Sequence, residues 1–151
     1  MIITFFGHSG FIGTKEYEEK LLSFLEKNIG ENTVQMYLGG YGGFDEFAYS
    51  CCKKYKENHP KASLIFVTPY ITLEYQKNHL DRLKSLYDII LYPEIEDKPK
   101  RFAIYYRNKF MVESADFVIT YVVHSYGGAY TAYKIAKRRG KNIFNLGKAN
   151  E

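Results

Sequence analysis

Short apolar runs alternate with longer amphipathic stretches along most of the chain. Met1 to Phe6 is apolar almost throughout and reads as a buried strand. After the turn Gly7-His8-Ser9-Gly10-Phe11-Ile12-Gly13, Thr14 stands as an N-cap for a helix to about Asn28. Tyr17, Leu21, Leu22, Phe24 and Leu25 form its apolar stripe, and Gly30 ends it. Thr33 to Leu38 reads as a second strand, and about Phe44 to Asn58 as a helix with Pro60 just beyond. A third strand, Ser63 to Thr68, stops at Pro69. His79 to Tyr87 looks helical, Asp88 to Tyr92 reads as a fourth strand, and polar Glu94 to Lys100, with Pro99, reads as a loop. A helix over most of Ala103 to Glu113, a fifth strand at Phe117 to Val122 and a helix from about Gly127 to Arg139 follow. Gly140 caps that helix before a last strand, Asn142 to Leu146.

Strands that alternate with helices imply parallel neighbours, because a parallel pair needs a crossover connection. Right-handed crossovers then give an α/β three-layer, Rossmann-like sandwich with a mostly parallel sheet of about five to seven strands. No linker, repeat or low-complexity segment interrupts residues 1–151, which read as one domain. In such sheets ligands bind beyond the carboxyl ends of the strands. The strand-to-helix turns are therefore the places to look for chemistry.

Two of those turns are rich in glycine: Gly39-Gly40-Tyr41-Gly42-Gly43-Phe44-Asp45-Glu46 and Tyr126-Gly127-Gly128-Ala129-Tyr130-Thr131. A strand that ends in glycines before a helix gathers bare N–H groups and the positive end of a helix dipole, which suits phosphate. Two such turns on one sheet suggest a pocket for a nucleotide-like ligand. Neither G-x-G-x-x-G nor the P-loop pattern occurs, so a plain dinucleotide oxidoreductase or P-loop reading loses its main support. A carboxylate repels phosphate, so phosphate should favour Gly127, Gly128 and Thr131. Asp45 and Glu46 on the other turn would hold ribose hydroxyls, or simply favour a helix N-terminus.

Arg107 is the cation best placed to grip a phosphate, with Asn108 beside it as a ligand contact or a cap. The plainer alternative for Arg107 is a surface pair with Glu113 or Asp116. Gly7 and Gly10 flank His8 and Ser9, which makes these two pocket residues, and His124 and Ser125 could meet them. No G-x-S-x-G elbow supports serine chemistry.

Composition narrows the partners. The 151 residues are 46% hydrophobic and 25% charged, ordinary for a globular protein. No apolar stretch approaches the roughly 18 residues of a membrane span, and Met1 leads into a strand rather than a basic leader. A cytoplasmic location without membrane partners is expected. The net charge of +4 comes from a late cluster, Lys134, Lys137, Arg138, Arg139, Lys141 and Lys148, which reads as a solvated face and tail rather than a nucleic-acid surface. Fifteen tyrosines suit a ligand pocket or a subunit interface, and a homodimer is expected. Cys51 and Cys52 are neighbours in a helical stretch, too divergent to bridge, and no spacing completes a metal site. They read as small buried hydrophobes; no metal and no cofactor is expected.

Gly39-Gly40-Tyr41-Gly42-Gly43-Phe44-Asp45, Arg107-Asn108-Lys109-Phe110-Met111-Val112 and Gly127-Gly128-Ala129-Tyr130-Thr131, in that order, resemble the SLOG superfamily, in particular its small YpsA-like branch. That resemblance implies a Rossmann-like fold and the binding of a nucleotide or nucleotide derivative. Its candidate ligand contacts are Gly7, His8, Ser9, Gly39, Gly40, Gly42, Gly43, Asp45, Glu46, Arg107, Asn108, Gly127, Gly128 and Thr131. The related lonely-guy enzymes cleave the N-glycosidic bond of nucleoside monophosphates, using a glutamate in PGGxGTxxE. Arg107 and Met111 fit their preceding helix motif, but Ala132, Tyr133 and Lys134 follow Thr131, so that glutamate is missing. Binding without this hydrolysis is the first expectation. N-glycosidic hydrolysis or transfer through Asp45 or Glu46 is the second, and a macromolecular interaction through the basic tail and tyrosines the third.

Overall fold

Strand β1 (Ile2–Gly7) is buried on both faces, Ile3 and Phe5 on one and Thr4 and Phe6 on the other. Apolar side chains on both faces suit a central parallel strand, and β1 is central. A computed structural model describes residues 1–147 and arranges six strands, all parallel, in the order β4-β3-β2-β1-β5-β6. The others are β2 (Val34–Leu38), β3 (Ala62–Val67), β4 (Ile89–Leu91), β5 (Phe117–Tyr121) and β6 (Asn142–Asn145). Ile3 lies opposite Met36 of β2 and Phe117 of β5. The chain winds outward from β1 through β2, β3 and β4, then crosses back to β5 and β6. The strand order therefore reverses between β1 and β5, where such sheets open a crevice.

Period-two alternation along the strands sorts their side chains into two cores. On one face α1 (Lys15–Ile29) and α2 (Gly43–Asn58) bury Leu21, Leu25, Phe44, Cys51 and Cys52 with Ile3, Phe5, Met36 and Leu64. On the other, α4 (Ala103–Ser114) and α5 (Gly128–Arg138) bury Met111, Val112, Ala132 and Ile135 with Phe6, Tyr37, Ile65 and Val118. This is the expected three-layer sandwich. The cysteines are free and buried, and burial pushes the Cys51 thiol up to about 12.

The central strands and four of the helices fall within a few residues of their sequence-derived limits. Helix α3 (Leu73–Leu86) does not: it starts six residues before the expected His79. Thr72 caps it, its hydroxyl accepting the Tyr75 N–H at 3.3 Å. Its first turns hid because Leu83 is its only buried residue, so no apolar stripe marks them. Asp88, read as strand, instead pairs with Lys56 at 2.7 Å and accepts the Leu64 N–H. One 3-10 turn, Lys100–Phe102, closes the expected loop and leads into α4.

No helix among the described residues is long and apolar enough to cross a membrane. In the late basic cluster, Arg139 pairs with Glu113 at 2.7 Å and Lys141 donates to the carbonyls of Glu113 and Ala115. Lys148 lies outside the described residues.

Candidate functional site

A cleft of about 1190 Å³ opens along the carboxyl edge of the sheet. Its floor is the ends of β1 and β2, at Gly7, Gly39 and Gly40. Gly7 is dictated by packing from below: a Cβ there would come within 2.1 Å of the buried Phe44 ring. Both glycine turns belong to this edge, but they are built for different work.

The first turn is closed. Gly42 has φ +90°, and its Cβ would fall 2.8 Å from the Ser9 backbone. The Gly43 N–H donates to Ser9 O at 2.8 Å, while a Cβ on Gly43 would sit 2.3 Å from Phe11 O. These two glycines therefore dock the start of α2 beneath the first loop and do not line the cleft. Asp45 folds back, its carboxylate accepting the Tyr41 N–H at 2.7 Å. Burial pushes its carboxyl up to about 6, against the opposing pulls of that hydrogen bond and of the positive Arg107. Glu46 is exposed and outside the cleft.

The second turn is open. Gly127, at φ +90°, and Gly128 have nothing within 4 Å of where a Cβ would stand. Helix α5 has no side-chain cap and no acidic residue in its first turn. The N–H groups of Gly128, Ala129 and Tyr130 have no acceptor among the described residues, leaving them as orphan donors at the positive end of the helix. Gly127 and Gly128 line the cleft. Thr131 does not; its hydroxyl donates to Gly127 O at 3.1 Å and so helps hold the turn.

Beside this turn three rings stack. His8 lies on His124 at 3.5 Å, and His124 on Tyr126 at 3.7 Å, with interplanar angles of 13° and 14°. His8 Nε2 accepts the Val123 N–H at 2.9 Å, which places the proton on Nδ1 and keeps the ring neutral. Burial, then the adjacent His124, lowers its pKa further. His124 Nδ1 is buried without a partner among the described residues. Tyr126 is 70% exposed, so its outer face is free for another ring.

Arg107 is 5% exposed, although it lines the cleft. Its Nη1 donates to Val67 O at 2.8 Å and Gly39 O at 3.4 Å, and its Nε to Asn108 Oδ1 at 2.9 Å. Nη2 has no acceptor among the described residues. Arg107 is thus fastened to the ends of β2 and β3, while the open turn follows β5 and β1 stands between. The alternative surface pair is not made: Glu113 binds Arg139, and Asp116 accepts the Ile2 N–H. Asn108 serves Arg107 and also lines the cleft.

Ten of the residues singled out in the sequence thus share one cleft: Gly7, His8, Ser9, Gly39, Gly40, Asp45, Arg107, Asn108, Gly127 and Gly128. Gly42, Gly43, Glu46 and Thr131 stand behind or beside it. The far wall is Tyr70 with Tyr75, His79 and Arg82 of α3; none of them is a sequence-derived site candidate, and His79 reads from the sequence as a surface residue. Positions 75, 79 and 82 form one helical face, legible only once the helix starts at Leu73. Among the described residues no group of three or more His, Cys, Asp or Glu side chains is arranged to hold a metal.

No protein-family model matches the chain, and no curated protein matches its sequence significantly. Solved structures share its fold. DNA processing protein A from Helicobacter pylori, known for a unique single-stranded DNA binding mode, superposes with a TM-score of 0.63 at 17% identity over 99% of this chain. The chain spans 66% of that structure's length. The structural-genomics target TM1055 superposes with a TM-score of 0.55 at 13% identity, over 94% of this chain and 71% of that one. At such identities the likeness is one of fold.

Proposed function

We propose that the chain is a SLOG-type module of the YpsA-like branch, acting in the cytoplasm, that binds a nucleotide or nucleotide-derived ligand in this cleft. The observation that carries the reading is the open turn at the start of α5. Three unpartnered N–H groups, no nearby carboxylate on the helix and an exposed ring one residue away suit a phosphate joined to an aromatic base. Phosphate sits at Gly128, and the ribose faces Asp45, the carboxyl that lines the cleft. The single-stranded DNA binding of the Helicobacter pylori neighbour is in keeping with nucleotide chemistry on this fold. The protein works as a homodimer, which light scattering would show as twice the 17.6 kDa chain mass.

A thermal-shift screen of nucleotides tests the reading. A ligand at a hundred times its Kd stabilises the fold by about 2.7 kcal/mol. Gly128→Asp puts a carboxylate into open space at the same N–H groups. It should abolish the shift given by phosphorylated ligands while leaving the free protein folded.

A second reading is favoured by Asp45. A carboxyl pushed up to about 6 and lining a cleft can be protonated or ionised near neutral pH, as N-glycosidic hydrolysis or transfer requires. Release of free base from a nucleoside or its monophosphate, lost in Asp45→Asn but not in Glu46→Gln, would establish it.

A further inference from the structure

The cleft is larger than one nucleotide needs. Ligand pockets usually run to about 300–1000 Å³, and this one holds about 1190 Å³. From the end of β5 to the end of β3 is three strand spacings, or about 14 Å. A mononucleotide with its phosphate at the open turn and its base on Tyr126 leaves the β3 end empty. That end is furnished. Tyr70 and Tyr75 meet edge to face at 5.4 Å, and His79 lies 4.6 Å from Tyr75. Arg82, on the same helical face, makes no ion pair among the described residues. Between the two ends lies Arg107, buried and charged, with Nη2 unpartnered beside the bare backbone of Gly39.

The geometry points to a second nucleotide subsite at the α3 end, so that the ligand class is two nucleosides joined through phosphate. This rests on the nucleotide reading of the same cleft. The first unit occupies the open turn and the His8–His124–Tyr126 stack. The linking phosphate crosses the glycine floor, where Nη2 of Arg107 supplies the donor that Nη1 and Nε cannot. The second base packs on Tyr75 and Tyr70, and Arg82 meets the anionic or carbonyl edge of that unit. A buried guanidinium with one free donor is what a passing phosphate needs: the charge is already desolvated and held in place by Val67 O and Gly39 O. The joined nucleosides have two sources, a pyrophosphate-linked dinucleotide or a phosphodiester-linked strand end, and both present the same pair of bases.

Fluorescence titration of the full chain separates these possibilities. Three probes are compared: a nucleoside 5′-monophosphate, and two dinucleotides carrying 2-aminopurine as the second base, one linked by pyrophosphate and one by phosphodiester. At least one dinucleotide should bind about tenfold more tightly than the monophosphate, the gain of one base–aromatic stack, and its fluorescence should be quenched. The tighter of the two identifies the source. Tyr75→Leu and Arg82→Ala should each remove most of that gain and leave the monophosphate Kd unchanged. Arg82 is an exposed position, so the folded protein does not depend on it. Equal affinity for all three probes overturns the second subsite and leaves the nucleotide reading intact. Tighter dinucleotide binding that survives both substitutions also overturns it. No binding by any probe overturns both.

Discussion

Gly39-to-Glu46 and Gly127-to-Thr131 look interchangeable in sequence, yet one turn is packed shut and the other stands open. In the first, glycine answers an internal demand: Ser9 and Phe11 press so closely that no side chain fits at Gly42 or Gly43. In the second, nothing within the described residues presses on Gly127 or Gly128. Gly127 still answers to its φ of +90°, but Gly128 is required neither by packing nor by backbone conformation, and a glycine of that kind is better explained by something that approaches from outside. The same contrast runs through the charges, with Asp45 and Glu46 at the start of α2 and none at the start of α5.

The largest effect should come from putting a methyl group into the closed turn. Gly43→Ala drives Cβ onto two fixed backbone oxygens, and denaturant unfolding should show a loss of about 3 kcal/mol or more. Gly128→Ala, its counterpart in the open turn, should leave stability within about 0.5 kcal/mol of the parent. Equal losses at both positions would erase the distinction.

Asp45 gives the next largest effect, through pH. Its folded value of about 6 lies above the ordinary 3.8, so between these pH values the unfolded chain releases a proton that the folded chain keeps. Stability therefore falls as pH rises from about 4 to 6 and is level above, by about 2–3 kcal/mol in all. Asp45→Asn, whose amide oxygen can still accept the Tyr41 N–H, should flatten that slope and be the more stable protein at pH 7. A slope that survives the substitution would show that another group titrates.

Arg107→Ala should cost about 1–3 kcal/mol of stability, because it leaves Val67 O and Gly39 O buried without a donor. It should also weaken ligands whose linking phosphate crosses the glycine floor, and spare a mononucleotide held at the open turn. A loss of binding with no loss of stability would mean that Arg107 belongs to the ligand alone. Least of all, Glu46→Gln should change stability by about 0.3–1 kcal/mol, the worth of a charge near a helix start, and leave ligand affinity untouched.

The sheet was legible because its strands are short apolar runs bounded by glycine and proline, a pattern that Phe5 and Phe6 or Val118 and Ile119 show without help. So was the edge on which the turns gather, since parallel strands bring all their carboxyl ends to one side. The division of labour between the turns was half legible: the missing acid near Gly127 is in the sequence, but the packing on Gly43 is not. Arg107 shows why. Its neighbours Gly39 and Val67 are 68 and 40 residues away, and no local pattern announces such carbonyl partners. The α3 wall is hidden in the sequence because a helix that lies over a cleft buries little: Leu83 alone is buried, and no apolar stripe follows the Thr72 cap.

Cys51 and Cys52 carry a practical consequence. Both thiols are sealed in the core and held in their unreactive neutral form. An alkylating reagent can reach them only when α2 lifts from the sheet, so the rate of thiol labelling is a built-in stopwatch for the opening of that layer. Because α2 begins at the closed turn, a ligand that seats against Asp45 should slow the stopwatch, whereas one confined to the start of α5 should let it run. The closed and the open turn of the cleft can thus be told apart by a pair of sulfur atoms that touch neither.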